Sequence, residues 1–333
     1  MSKLQTRYIF SMGELSRKDN SIAFKNEKCT VYIPVEGVKE IYFMNEINLN
    51  SKLLDFFAKY GISAHFFNYY GNYSGSFFYR KALISGRVLI SQVKALKYRQ
   101  IIAKSIVLGI SLNIHEVLYH YYRHGKKELF GLLDFLKNDV EKMLEKVNSI
   151  NQIMFIEGMI WNKFYDSFSI FLDESFSLGK RVRRPPDNPL NAMISFGNTL
   201  LYTKTISAIY QTHLDQSVSF LHESSDARFS LSLDLSEVFK PVLVFKTIFE
   251  LVNLRKINAK KHFDKKLNYC LLNENGRKIF IESFENRINE LFLHAKLKRK
   301  ISYKTAIKFD GYKLIKFICE GVSFKPFNLK EKM

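Results

Sequence analysis

Apolar and polar positions alternate over the first part of the chain and then change period. Arg7 to Ser11, Ser21 to Lys25, Cys29 to Pro34 and Lys39 to Met44 are short runs rich in Ile, Val, Tyr and Phe. Turn chemistry at Arg17-Lys18-Asp19-Asn20 and at Glu36-Gly37 divides them, which predicts an antiparallel sheet. Ser51 is placed to cap a short helix over Lys52 to Tyr60 that stops at Gly61, and Ile62 to Asn68 reads as a further strand. The aromatic, glycine-punctuated turn from Asn68 to Gly75 suits packing or an interface better than base stacking. Near Arg80 to Gly86 the period passes from two to about 3.6. Ile101, Ile102, Ile106, Leu108 and Leu112, then Leu129, Leu132, Leu133, Leu136, Val140, Met143, Leu144 and Val147, keep helical spacing and ask for a bundle. Ser149 to Phe176 and Asn191 to Leu214 read as two further helices.

This pattern predicts an α+β protein. An antiparallel β domain spans residues 1–80, a linker 81–86, a larger all-α domain 87–325, and a basic tail 326–333 whose role the sequence leaves open. Within the second domain, Pro241 interrupts a helix that continues through Val242, Leu243, Ile248, Phe249 and Val252. The proline lacks the N–H that would bond the carbonyl of Glu237, and its ring crowds that same carbonyl, so a bend is expected there.

Composition narrows the class. A chain of 333 residues with 47% hydrophobic and 15% aromatic content can bury a substantial core. Its 51 Lys and Arg against 32 Asp and Glu leave a net charge of +19, which argues for a polyanionic partner. Nucleic acid is preferred to an anionic membrane, because the basic residues do not line one face of an amphipathic helix. Cys29, Cys270 and Cys319 are far apart and form no C-x-x-C pair, so they read as reduced structural thiols. The N-terminus lacks the apolar run of a signal peptide, and no uninterrupted apolar run of about 18 residues offers a membrane span. A soluble, cytoplasmic protein without membrane contact is expected.

Candidate chemistry collects in His222 to Pro241. Asp234 and Glu237 fall on one helical face, and His222 approaches from the preceding loop. Two carboxylates and an imidazole suit a divalent cation such as Mg²⁺ or Mn²⁺; a solvated His before an acidic helix start gives the same spacing. Glu157 is the only charge in the apolar run Ile153 to Trp161. On a buried face it needs a cation, a donor or a proton; at the edge of the stripe it reaches water. The loop from Gly179 to Pro189 is stiffened by prolines and carries Lys180, Arg181, Arg183 and Arg184, with Asn188 beside them, as candidate DNA contacts. His115, His120 and His124 share a helix, without the spacing of a known metal motif, and read as a solvated helix end.

Several motifs in order carry a resemblance. Tyr8 to Asn20, Ile33-Pro34-Val35 and Phe67 through Gly75 are similar to the β domain of the CRISPR adaptation integrase family, the universal CRISPR-associated endonuclease that inserts new spacers. Glu157-Gly158, Arg184 to Ala192 with Ser195-Phe196-Gly197, Phe220-Leu221-His222 and Ser230 to Pro241 resemble its helical domain. The resemblance implies divalent-metal ligands at Glu157, His222 and Glu237, with Asp234 as a further acidic residue of the catalytic site. Where some members carry Tyr, this chain has Asn198. It also implies a homodimer formed largely through β domains, and two such dimers assembled on a small adaptation partner in a heterohexamer-like complex. The implied chemistry joins the 3′-hydroxyl ends of short duplex DNA to CRISPR repeat DNA, with hydrolysis when water replaces the hydroxyl. A general metal-dependent DNA or RNA nuclease and a non-catalytic basic DNA-binding scaffold are the alternatives.

Overall fold

The computed structural model describes residues 5–80, 83–183, 185–224, 228–267, 269–295 and 297–331. The chain divides into two compact units, Met1–Ala82 and Leu83–Met333.

In the first unit β1 (Gln5–Ile9), β2 (Gly13–Lys18), β3 (Ser21–Lys25), β4 (Thr30–Pro34), β5 (Val38–Phe43) and β6 (Ile47–Leu49) precede α1 (Ser51–Tyr60), β7 (Ser63–Phe67) and β8 (Tyr73–Phe77). Two four-stranded sheets result, ordered β1-β5-β7-β8 and β4-β3-β2-β6. The β domain is borne out, but its sheets are mixed rather than antiparallel throughout. β5 runs parallel to both β1 and β7, and β2 runs parallel to β6. A parallel pair needs a long crossover. The meander β2–β4 supplies one between β1 and β5, and β6 with α1 supplies one between β5 and β7. β2 escapes the pattern because only Leu15 of its six residues is buried. Ile9, Ile41 and Phe43 from one sheet, Leu15, Ile22 and Phe24 from the other, and Leu53, Phe56 and Phe57 of α1 share one core. Asn50, not Ser51, caps α1, its side chain accepting the Leu53 N–H, and Gly61 ends the helix at φ 64°.

The second unit contains α2 (Gly86–Lys94), α3 (Arg99–Arg123), α4 (Phe130–Asp134), α5 (Val140–Lys146), α6 (Ile150–Asp166), α7 (Pro189–Tyr210), α8 (Ser230–Phe239) and α9 (Lys246–Asn253). Then come β9 (Phe263–Lys266), β10 (Tyr269–Leu272), α10 (Glu274–Ile288), β11 (Leu291–His294), β12 (Arg299–Ser302) and α11 (Tyr303–Glu320). The unit is helical as expected, with two antiparallel hairpins, β9–β10 and β11–β12, that the pattern did not reveal. Their strands are only four residues long, too short for alternation to register. The stretch Gly86–Arg123 is long and apolar enough to cross a membrane by length and composition, yet 67% of its apolar window lies buried inside the protein, as a core helix requires. α3 packs against both α6 and α8, and α7 packs against α8. α6 ends at Asp166, short of the Phe176 expected, and His115 on α3 is buried rather than solvated.

Between α8 and α9 the chain winds as a π-helix from Lys240 to Phe245. At Pro241, where a bend is expected, the regular winding gives way to this π-helical turn and the helix continues on both sides. The Lys240 N–H bonds the carbonyls of Glu237 and Ser236, so a shorter bond satisfies the oxygen that Pro241 cannot serve. α7 meets this segment at Gly197, where a Cβ would stand 2.6 Å from Val244 Cγ1.

The tail is not solvated along its length. Phe324 and Phe327 are buried, and Phe327 stacks on Phe239 at 5.0 Å. Asn113 on α3 donates to the Phe327 carbonyl at 3.0 Å and accepts the Leu329 N–H at 2.8 Å, while Asp310 on α11 accepts the Phe327 N–H at 2.7 Å. The apolar residues within the basic run decide its course, since burying two phenylalanines outweighs the hydration of the flanking lysines.

Candidate active site

α6 and the α8–π segment present facing side chains. Glu157, Trp161 and Tyr165 are successive members of one face of α6. The Trp161 indole N–H donates to Glu157 Oε1 at 2.6 Å, and the Trp161 ring stacks on Tyr165 at 5.9 Å. From the other side, Lys240 pairs with Glu237 Oε1, and its ammonium lies 5.8 Å over the Trp161 ring. Glu237 Oε2 is buried with no hydrogen-bond partner among the described residues.

His222 is held from two directions. Asp234, fully buried on the first turns of α8, accepts the backbone N–H groups of Phe220 at 2.7 Å, Leu221 at 2.8 Å and His222 at 2.9 Å. It also meets His222 Nδ1 at 2.9 Å. Arg99, at the start of α3, donates to the carbonyls of the same three residues, at 2.6 Å, 3.1 Å and 2.9 Å. The loop is therefore clamped by its amides on one side and its carbonyls on the other. Asp234 is a positioning residue behind His222. By engaging Nδ1 it leaves Nε2 as the ring nitrogen available to a ligand.

The charges act on one another across the cluster. Burial, then the charge of Glu237, push the Glu157 carboxyl up to about 7, against the pull of Lys240, His222 and the indole N–H. For His222, burial favours the neutral ring, but the hydrogen bond and charge of Asp234, with Glu237 and Glu157 behind it, outweigh burial and raise its pKa. Two carboxylates and an imidazole thus share one buried neighbourhood. Among the described residues, no three His, Cys, Asp or Glu groups are already set in ligating positions around one point. Lys240 is the nearest cation to Glu237. The donor set fits a hard or borderline divalent cation. The buried, partnerless Glu237 Oε2 and the crowded Glu157 are the features such an ion would satisfy.

The raised groups have a consequence for stability in chelator. Above the ordinary carboxylate range the unfolded chain releases the Glu157 proton, while the folded chain keeps it up to about pH 7. Stability then falls as pH rises through that window, by at most about 1.4 kcal/mol per pH unit for one proton. His222, also raised, extends the fall upward from its unfolded value. Melting of Glu157→Gln in chelator is expected to show a shallower loss between about pH 5 and about pH 7 than the wild type. Identical slopes would rule the assignment out.

The basic loop divides into two kinds of residue. The Arg181 guanidinium donates to the Val182 carbonyl, to Asn191 Oδ1 at 2.9 Å and to Ser195 Oγ at 3.1 Å. Asn188 caps α7 through the Asn191 N–H at 2.8 Å and donates to the Leu178 carbonyl at 2.9 Å. These two candidate DNA contacts are engaged inside the protein, where they tie the loop to the start of α7. Lys180 and Arg183 remain exposed. Arg184 lies outside the described residues. The loop borders the acidic cluster: burial pushes the Tyr165 hydroxyl up to about 12, and Arg181, Glu237 and Arg183 all act on it electrostatically.

Sequence reasoning missed Arg99, Trp161 and Lys240 as members of this site. Arg99 had no available signal, since its partners lie more than a hundred positions away. Trp161 and Lys240 carried one, each following a candidate ligand by one helical turn.

Comparison with known proteins agrees with this architecture. The profile of the family described as CRISPR associated protein Cas1 matches residues 7–286. CRISPR-associated endonuclease Cas1 of Fusobacterium nucleatum subsp. nucleatum is 41% identical over 326 residues, covering 97% of this chain and 96% of that protein. The solved structure of a CAS1 protein from Thermotoga maritima superposes with a TM-score of 0.84 at 36% identity, over 96% of this chain and 98% of that one. A casposase bound to its integration product shares the fold, with a TM-score of 0.86 at 19% identity over 100% of this chain and 95% of that one. With the profile and the relative both spanning most of its length, the chain belongs to the Cas1 family of CRISPR-associated proteins.

Proposed function

We propose that this protein is a divalent-metal-dependent DNA integrase and endonuclease of CRISPR adaptation, joining the 3′-hydroxyl ends of short DNA fragments into repeat DNA by transesterification. The observation that supports the reading is that Glu157, His222 and Glu237, from two helices and a clamped loop, lie near enough to act on one another's charge, and that one Glu237 carboxylate oxygen is buried without a hydrogen-bond partner among the described residues. Glu157, Glu237 and His222 Nε2 would hold Mg²⁺ or Mn²⁺. When bound, such an ion polarises the scissile phosphodiester and stabilises the leaving 3′ oxygen.

The chain's own residues perform the rest. The Asp234 carboxylate fixes the ring orientation of His222, and Arg99 fixes the loop that carries it. The Trp161 N–H orients Glu157. Lys180 and Arg183 offer exposed cations to a DNA backbone beside the cluster. The same reading takes duplex fragments and CRISPR repeat DNA as substrates. It places the protein in the cytoplasm, as a homodimer that assembles with a small adaptation partner.

Strand transfer tests the proposal directly. A short duplex with free 3′-hydroxyl ends is incubated with supercoiled plasmid, the small partner and Mn²⁺ or Mg²⁺. Joined products that disappear on chelation are expected. Cleavage without joining would favour a general nuclease, and binding with neither would leave a DNA-binding scaffold.

A further inference from the structure

The β9–β10 hairpin is an exposed, strongly basic element that the site described above does not use. Between Arg255 and Lys266 stand Arg255, Lys256, Lys260, Lys261, Lys265 and Lys266, against the single acid Asp264. The strands pair with Lys266 opposite Tyr269 and Lys265 opposite Cys270. Phe263, Cys270 and Leu272 are buried and anchor the hairpin against the rest of the unit. Lys265 and Lys266 are exposed, and the Lys266 ammonium lies 5.7 Å from the Tyr269 ring centroid. At the turn, Leu267 is 102% exposed. A single exposed leucine is ordinary on a protein surface, so the lysines carry the assignment and Leu267 gives the basic element an apolar tip.

The hairpin is joined to the catalytic side of the unit. The Cys270 N–H bonds the Pro186 carbonyl at 2.8 Å, so β10 is fastened to the loop that carries Lys180 and Arg183. Lys265 and Asp187 both act electrostatically on the Cys270 thiol, which places the charged strand beside the start of α7. That loop borders Tyr165 and Glu237. Cations therefore continue from the edge of the acidic cluster to the hairpin tip.

We propose that the β9–β10 hairpin grips duplex DNA leading away from the active site, with Lys265 and Lys266 on phosphates and Leu267 entering the minor groove as an apolar wedge. The assignment rests on the integrase reading for the direction of the path. Charge complementarity selects a polyanion, and an apolar tip next to two cations matches the way groove-entering side chains open a base step. An acidic protein surface would meet the lysines but has no groove for the leucine.

Equilibrium binding across a salt titration tests it, using full-length protein with a duplex and a single strand of equal length. Lys265→Gln with Lys266→Gln is expected to weaken duplex binding and to lower the log–log salt slope by about 1.8. Leu267→Ser is expected to weaken duplex binding at unchanged slope and to leave single-strand binding alone. Unchanged melting temperature in both variants serves as the folding control, and the wild type is assayed for joining in parallel. Duplex affinity and slope equal to wild type in the lysine variant overturn the assignment, as does a Leu267→Ser deficit equally large on single strand. If the variants behave as expected while the wild type joins no ends, the hairpin stands and the integrase reading falls. If the wild type joins ends and the variants bind normally, the reverse holds.

Discussion

His222→Ala will bind duplex DNA with wild-type affinity and join no ends. The imidazole is the one nitrogen donor of the cluster, and its loss removes a ligand from a site that already concentrates negative charge. The expected fall in joining rate is on the order of 10³-fold or more, equivalent to about 4 kcal/mol of barrier. The loop should keep its conformation, with a stability loss smaller than that of Asp234→Ala. Asp234 keeps its bonds to the N–H groups of Phe220, Leu221 and residue 222, and Arg99 keeps its bonds to their carbonyls. Strand transfer measured beside filter binding on the same preparation decides the matter. Joining within tenfold of wild type would remove His222 from the mechanism.

Asp234→Ala is the complementary case, because it is expected to fail in stability as well as in chemistry. The wild-type carboxylate is fully buried and accepts three backbone N–H bonds while contacting His222 Nδ1. Truncation leaves those donors without acceptors in a place that water does not reach, and each orphan costs about 1–3 kcal/mol. Because the loop can relax, the costs do not add fully, and a total loss of about 3–5 kcal/mol is expected in denaturant unfolding. Joining should fall with it, since the ring then loses its orientation. A loss of less than about 1 kcal/mol would show that the loop is held by Arg99 alone. The two variants separate the roles: His222→Ala costs less stability than Asp234→Ala, which leaves three backbone donors without an acceptor.

Much of this organisation was readable along the chain. The change from alternating to helical spacing near Arg80 to Gly86 marked the passage between the two units. The breaker at Pro241 marked the irregular winding one turn beyond Glu237. Glu157 stood out because a lone carboxylate in the apolar run Ile153 to Trp161 demands a partner, and the structure supplies the indole N–H with Lys240 and His222 nearby. Parallel pairing of β5 with β1 and β7 was not readable, because side-chain alternation is the same in parallel and antiparallel strands. The hairpins β9–β10 and β11–β12 were hidden by the shortness of their four-residue strands.

The sequence by itself determined the order of domains, the polyanion-seeking charge, and the residue types that meet at the candidate site, because periodicity, composition and motif are properties of neighbours along the chain. Tertiary structure decided what each of those residues does. It turned Asp234 from a candidate ligand into the brace behind His222, drew Arg99 across more than a hundred positions onto the same loop, and engaged Arg181 and Asn188 in bonds within the protein. It folded the basic tail back onto α3 through the buried Phe327 and its bond to Asn113. The physical reason is the same each time. A buried polar atom must find a partner wherever the packed chain brings one, and spacing along the sequence does not reveal which partner that will be.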